Sequence, residues 1–228
     1  MLKNRILISI ILIFIMALCG AAAAFAEADM DYSQLGPRLF AEADIDYSQW
    51  NSGGHYPRDI MGTSLQIPVI FLTDRGIITG DTDGLFHPQR SISRAEFATM
   101  MAKATNNISQ IEAMRIDNEE IFSDLQGYEW ARQYINAVVR AGLFNGISED
   151  KFAPGEDVTY AEAITVIIRM NTGAAGIAEG MAASWPDNYI MYARTYNIMG
   201  DLQIRDWDAS AIRGDVAYLL HRALPKHI

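Results

Sequence analysis

Two short segments carry residue types that could cap a helix or hold an anion: Ser93-Arg94-Ala95-Glu96 and Thr159-Tyr160-Ala161-Glu162. In each, a hydroxyl residue stands three positions before a glutamate. At that spacing the hydroxyl accepts the third residue's amide and the carboxylate returns to the cap's own amide. Ser93, Glu96, Thr159 and Glu162 therefore have a sufficient structural task at the start of a helix. The arginine beside the cap reads differently, because a planar guanidinium near the positive end of a helix suits a carboxylate. Arg94 holds that place, as does Arg213 in a third segment, Ile212-Arg213-Gly214-Asp215, where Asp215 replaces the glutamate. The middle segment has Tyr160 instead and lacks the cation.

Other chemistry is excluded. Asp81-Thr-Asp83-Gly84 has part of a calcium-loop pattern, but setting Gly84 at the sixth position puts Thr79 first and Arg90 twelfth, so the required acid and the bidentate glutamate are missing. His55, His87, His221 and His227 have no metal-ligand spacing, and no Gly-x-Ser-x-Gly or phosphate-cradling loop occurs. The single cysteine, Cys19, lies in an N-terminal apolar run, so no disulfide, thiolate metal site or cysteine nucleophile is expected in a processed chain. No enzymatic activity, metal or cofactor is expected. With 18 basic against 28 acidic residues and a net charge of -10, the chain has no basic face for nucleic acid.

The elements that position these residues come in copies. Lys3 and Arg5 precede the apolar run Ile6 to Leu18, and Ala24-Phe25-Ala26 offers a signal-peptidase site, so cleavage is expected after Ala26, leaving no stable membrane insertion. An uncleaved anchor is the rival, since the uncharged run to Ala26 reaches the roughly 20 residues of a spanning helix. An acidic leader follows in which Phe25–Gln34 recurs as Phe40–Gln49, and it reads as an extended spacer. Beyond it, a shift of 66 positions lays Gly76, Gly80, Phe86, Pro88, Ala95 and Glu96 on Gly142, Gly146, Phe152, Pro154, Ala161 and Glu162. A third, more worn copy aligns Trp185, Tyr189 and Ile190 with Trp130, Tyr134 and Ile135.

Each copy reads as helix, loop, helix. The first helices are expected to end at Gly76, Gly142 and Asn197, residues that tolerate a left-handed cap, each followed by an apolar residue. The second helices carry stripes spaced i, i+3, i+4, i+7: Phe97, Met100, Met101, Ala104; Ala163, Val166, Ile167, Met170; Val216, Leu219, Leu220, Ala223. Three equivalent stripes most simply meet at one axis. Ser64 stands where the other copies have tryptophan, and Pro68 is expected to delay the first helix of copy one.

The ordered motifs Gly76-Ile-Ile-Thr-Gly80, Asp83-Gly84-x-Phe86-x-Pro88 and Ile92-Ser-Arg-Ala-Glu-Phe97, with Phe122-Ser-Asp124 and Trp130-Ala131 in copy two, resemble the S-layer homology repeat over about residues 57–225. The resemblance implies an all-α fold of three helix-loop-helix repeats in a pseudo-threefold arrangement around a central helical bundle. It implies repeats at 57–105, 122–172 and 185–228, joined by linkers at 106–121 and 173–184 and preceded by a signal peptide at 1–26 and a leader at 27–56. It further implies a secreted protein of the cell wall or S-layer that binds secondary cell-wall polymer, of the pyruvylated amino-sugar type, in grooves between repeats. Arg94, Arg213, Trp130, Trp185, Gly80, Asp81 and Asp124 are the expected ligand contacts, and Ser93, Glu96, Thr159, Glu162 and Asp215 the caps. With Tyr160 in place of an arginine, at most two grooves are expected to be competent. No cargo domain is expected, and the acidic leader is a candidate site for a protein partner. An envelope interaction protein that kept the fold and lost glycan binding is the alternative.

Overall fold

The computed structural model describes residues 56–105 and 119–224. The signal segment, the duplicated leader, most of the 106–121 linker, Cys19, His55 and His227 lie outside the described residues. In chain order the α-helices are α1 Gln66–Asp74, α2 Arg94–Thr105, α3 Arg132–Arg140, α4 Tyr160–Arg169, α5 Thr172–Glu179, α6 Asp187–Thr195 and α7 Arg213–Ala223. Single 3-10 turns at Arg58–Ile60 and Glu129–Ala131 precede α1 and α3. The fold is all-α, and among the described residues β pairing is confined to three isolated bridges.

The first helix of every copy closes with the same cap. Gly76, Gly142 and Asn197 have φ of 65°, 67° and 52°, and the next residues, Ile77, Leu143 and Ile198, return their amides to Leu72, Val138 and Ala193 at 2.9 Å each. These bonds satisfy helix-end carbonyls and bury the following apolar side chain. Pro68 does not delay α1. The helix starts at Gln66, in register with α3 at Arg132, because a proline in the first turn lacks only an amide that would have had no helical partner. The 173–184 stretch is not a plain linker either. Asn171 accepts the Ala174 amide at 3.1 Å and starts α5, which packs against α4 and α6.

The helices pair across copies. The second helix of one copy lies on the first helix of the next, α2 on α3, α4 on α6 and α7 on α1, so the pairing closes on itself. The predicted apolar stripes are buried in all three second helices apart from their last members, Ala104, Met170 and Ala223, which are half-buried, and α4 also buries Ile164, Thr165 and Ile168. The stripe misses these because α4 touches α2, α5, α6 and α7.

The segments leading into α2, α4 and α7 form a second closed circuit. Ile92 donates to Ala211 O at 3.0 Å, Ala211 to Val158 O at 2.7 Å, and Val158 to Ile92 O at 3.0 Å. The first amides of each helix are then taken by the loop of a neighbouring copy. Arg94 and Ala95 donate to Glu156 and Pro154, Tyr160 and Ala161 to Ala209 and Trp207, and Arg213 and Gly214 to Arg90 and Pro88. The starts of α2, α4 and α7 are therefore not open to bind an anion through these amides.

Two of the loops are held by a carboxylate. Asp59 accepts Phe86 and His87 amides at 2.8 Å each, and Asp124 accepts Phe152 and Ala153 amides at 2.9 and 2.8 Å. His87 and Ala153 have φ of 54° and 58°, a left-handed conformation that side chains disfavour. Asp124→Ala strands two buried amides and should lower stability by about 1–3 kcal/mol for each. Thermal and urea denaturation would measure this, and an unchanged midpoint would contradict the loop's dependence on Asp124.

Candidate functional site: grooves between the copies

The loop after α1 and the exposed side of α2 line one groove, and the loop after α3 and α4 line another. The first, about 150 Å³, is bounded by Ile78, Thr79, Asp81, Glu96 and Lys103, with Arg213 and Trp130 contributed by the other two copies. The second, about 320 Å³, has Phe144, Asn145, Ile147, Glu162 and Arg169, with Arg94 and Trp185 from the other two copies. The own-copy residues correspond at the shift of 66, so the same cleft is built twice.

Arg94 and Arg213 fill equivalent positions by equivalent bonds. Arg94 donates Nε to Phe152 O at 2.8 Å, Nη1 to Glu162 Oε1 at 2.7 Å and Nη2 to Asn145 O at 2.8 Å. Arg213 donates to Phe86 O, Glu96 Oε1 and Thr79 O at 3.0, 3.1 and 3.4 Å. Their guanidinium carbons stand 5.0 Å from the Phe152 centroid and 4.8 Å from the Phe86 centroid. At 3% and 7% exposure these arginines are neither solvated surface residues nor free clamps. Each is a buried staple from one copy into the loop and helix of another.

The glutamates divide their oxygens between two tasks. Glu162 Oε2 receives the Thr159 amide at 3.0 Å, completing a capping box, while Oε1 receives Arg94. Glu96 does the same with Ser93 and Arg213, and also takes two bonds from Arg90. Burial alone would raise the Glu96 carboxyl. Hydrogen bonds from Arg90 and the Ser93 amide, with the charges of Arg213 and Arg90, outweigh it and hold the group below its ordinary value. Desolvation lowers Arg213, partly offset by Glu96, but an arginine starts so high that it stays charged.

The third cleft, about 270 Å³, is lined by Ser64, Leu65, Gln89, Asp201, Leu202, Asp215 and Tyr218. Ser64 stands where Trp130 and Trp185 stand in the other two. Tyr160, in the arginine's place, donates its hydroxyl to Asp215 Oδ2 at 2.6 Å, the crossing that Arg94 makes to Glu162. The two departures noted in separate copies, Ser64 and Tyr160, therefore meet in one cleft. Burial and the Asp215 carboxylate push the tyrosine hydroxyl up to about 12, while desolvation raises Asp215. Asp215 is not a cap: Ile212 offers no hydroxyl, and no side chain caps α7.

Trp130 and Trp185 are 51% and 55% exposed, each on the lip of a groove, with Trp185 Nε1 bonded to Thr165 Oγ1 at 3.0 Å. Asp81 lines the first groove, 3.6 Å from Arg90 and 4.0 Å from Arg213. Two expected contacts fall elsewhere. Asp124 lines neither groove, because both its oxygens are committed to loop amides. Gly80 is also outside the lining; a side chain there would press on Leu85 O at 3.2 Å and Pro57 at 3.3 Å, so its task is close packing of the loop. Sequence reasoning missed Asp59, Lys103, Arg169 and Thr165. The shift of 66 could have found the last three, since it pairs Lys103 with Arg169 and Thr99 with Thr165.

Arg94→Ala or Arg213→Ala should cost about 3–5 kcal/mol of unfolding free energy, the usual penalty for breaking a buried pair. Because the folded value of Glu96 is depressed, its stabilisation is present above the ordinary glutamate range and is lost as pH falls through the folded value. Glu96→Gln should therefore flatten the acid limb of the stability–pH curve measured by urea denaturation; an unchanged acid limb would contradict the staple.

The sequence profile of the S-layer homology domain matches residues 63–98 and 121–164. The chain is 27% identical over 164 residues to the middle cell wall protein of Brevibacillus brevis, covering 72% of this chain and 15% of that protein. It is 36% identical over 97 residues to the surface-layer 125 kDa protein of Lysinibacillus sphaericus (42% of this chain, 8% of the relative). It is 33% identical over 99 residues to the cellulosome-anchoring protein of Acetivibrio thermocellus (43% and 22%). The chain thus spans between 8% and 22% of the length of these relatives. Residues 63–98 and 121–164, set in the helix-loop-helix copies described above, are repeats of the S-layer homology domain family.

Proposed function

We propose that the protein is a non-enzymatic component of a bacterial cell wall or surface layer, held there non-covalently by an acidic secondary wall polymer that it binds in two inter-copy grooves. The reading is carried by the groove that is built twice, each time with a buried arginine–glutamate pair in its wall and a half-exposed tryptophan on its lip. Such a cleft offers an apolar plate for a sugar face beside basic side chains for an acidic substituent. A pyruvylated amino sugar, the ligand implied by the family resemblance, has both features. The relatives named as cell wall, surface-layer and cellulosome-anchoring proteins point to the same compartment.

The third cleft does not share this chemistry. It has Asp201 and Asp215 but neither the tryptophan nor the arginine, so an anionic sugar meets carboxylates there. The wall-binding stoichiometry is therefore two per chain.

The purified protein should pellet with cell-wall sacculi and stay in solution once their secondary polymer is stripped. Replacing both tryptophans, Trp130→Ala and Trp185→Ala, should weaken pelleting by about tenfold or more while the fold persists, since both side chains are half exposed. Native sacculi that fail to retain the folded wild-type protein would contradict wall binding and turn the search to a protein partner. Three equivalent sites in a titration with pyruvylated amino sugar would contradict the exclusion of the third cleft.

A further inference from the structure

All three nitrogens of each motif arginine already donate to the protein, one of them to a glutamate that offsets its charge, so a second, unpaired cation is the better partner for a ligand carboxylate. Each groove has one, nine residues beyond the motif position on the second helix. Lys103 in the first groove has no ion pair or hydrogen bond among the described residues; only the Tyr134 ring, 5.6 Å away, faces its ammonium. Burial lowers its pKa. Arg169 in the second groove makes a single hydrogen bond among the described residues, from Nε to Tyr189 Oη at 3.1 Å, and the Tyr189 hydroxyl in turn donates to Glu179 Oε1 at 2.8 Å. That chain fixes the guanidinium and leaves Nη1 and Nη2, the pair that binds a carboxylate bidentately, without a partner among the described residues. Trp185 is anchored to Thr165, one turn before Arg169 on the same helix, so plate and donor pair share one face of α4.

The corresponding residue of the third cleft behaves differently. Arg222 donates Nε to Asn197 O and Ile198 O at 3.2 and 3.0 Å and Nη2 to Asn197 O at 2.6 Å, so it closes the end of α6. The two intact grooves are also unequal. The first opposes its cations with Asp81, whereas the second has Ile147 there, 56% exposed, and twice the volume.

Resting on the wall-glycan reading, the geometry points to Arg169 as the residue that takes the carboxylate of the wall sugar, and to its groove as the tighter of two unequal sites. Lys103, which shares its groove with Asp81, serves the weaker one. The motif arginines act as positioning residues for both.

Calorimetric titration of the folded protein with a pyruvylated amino-sugar glycoside, and with the same sugar lacking the ketal, tests this. The acidic sugar should fit two unequal sites and the neutral sugar should bind far more weakly. Arg169→Gln should weaken the tighter site by about ten- to a hundredfold and spare the weaker one; Arg169→Lys should recover part of the loss. Ile147→Asp, at an exposed position, should bring the tighter site toward the weaker, giving a second route should Arg169→Gln fail to fold. Arg222→Gln should change stability and neither affinity. Wild-type binding that survives both Arg169→Gln and Ile147→Asp unchanged would overturn the assignment of Arg169. A wild-type protein that binds neither sugar would overturn the wall-glycan reading itself.

Discussion

The clefts built between copies depend on the closed circuit of backbone hydrogen bonds that joins Ile92, Ala211 and Val158. Each pre-helix segment gives one amide and receives one, so the short β bridges have no unpaired edge at this point, and the starts of α2, α4 and α7 are brought together. From that arrangement the rest follows. The residue after each cap, the first of its helix, reaches into the loop of another copy, so Arg94 serves the groove of copy two and Arg213 that of copy one. The tryptophans arrive from yet another copy. Neither of the two tryptophan-lipped grooves is contained in one copy, so both need the circuit closed.

Much of the fold was legible because its signals are local. Glycine or asparagine at a helix end, a hydroxyl three residues before a glutamate, and an apolar stripe at helical spacing each report on a few neighbouring residues, and the three copies repeat them. The destination of a side chain that crosses between copies is not local. Nothing in the order of motifs says which neighbour Arg94 enters, so Ser64 and Tyr160 read as separate losses in copies one and two although they line or serve a single cleft. Burial was misjudged for the same reason, since α4 is enclosed by helices distant in sequence. Asp124 shows the opposite error: a carboxylate within a shared motif suggested a ligand contact, yet its oxygens hold a strained loop in place.

The three crossings also show that the link between copies persists when its charge is lost. Arg94 to Glu162, Arg213 to Glu96 and Tyr160 to Asp215 are the same link between the first turns of consecutive copies. In the third, a bulky neutral donor meets a shorter acid, so the link persists while the cation is lost. A cleft altered in this way still contributes to the architecture but has a neutral tyrosine where the others have a guanidinium group. The motif arginine is thus chiefly a structural element, and under the proposed function the discrimination of an acidic sugar falls to side chains on the groove wall that the staple leaves free.

The central claim is that two clefts, each assembled from all three copies, receive an acidic sugar and that the third does not. A crystal structure of the protein soaked with a pyruvylated amino-sugar glycoside tests it most directly. The account predicts sugar against Trp185 and Trp130, with the carboxylate at Arg169 and Lys103, and the cleft of Asp215 and Tyr218 empty. Sugar bound in that third cleft, or on a face away from all three, would contradict it.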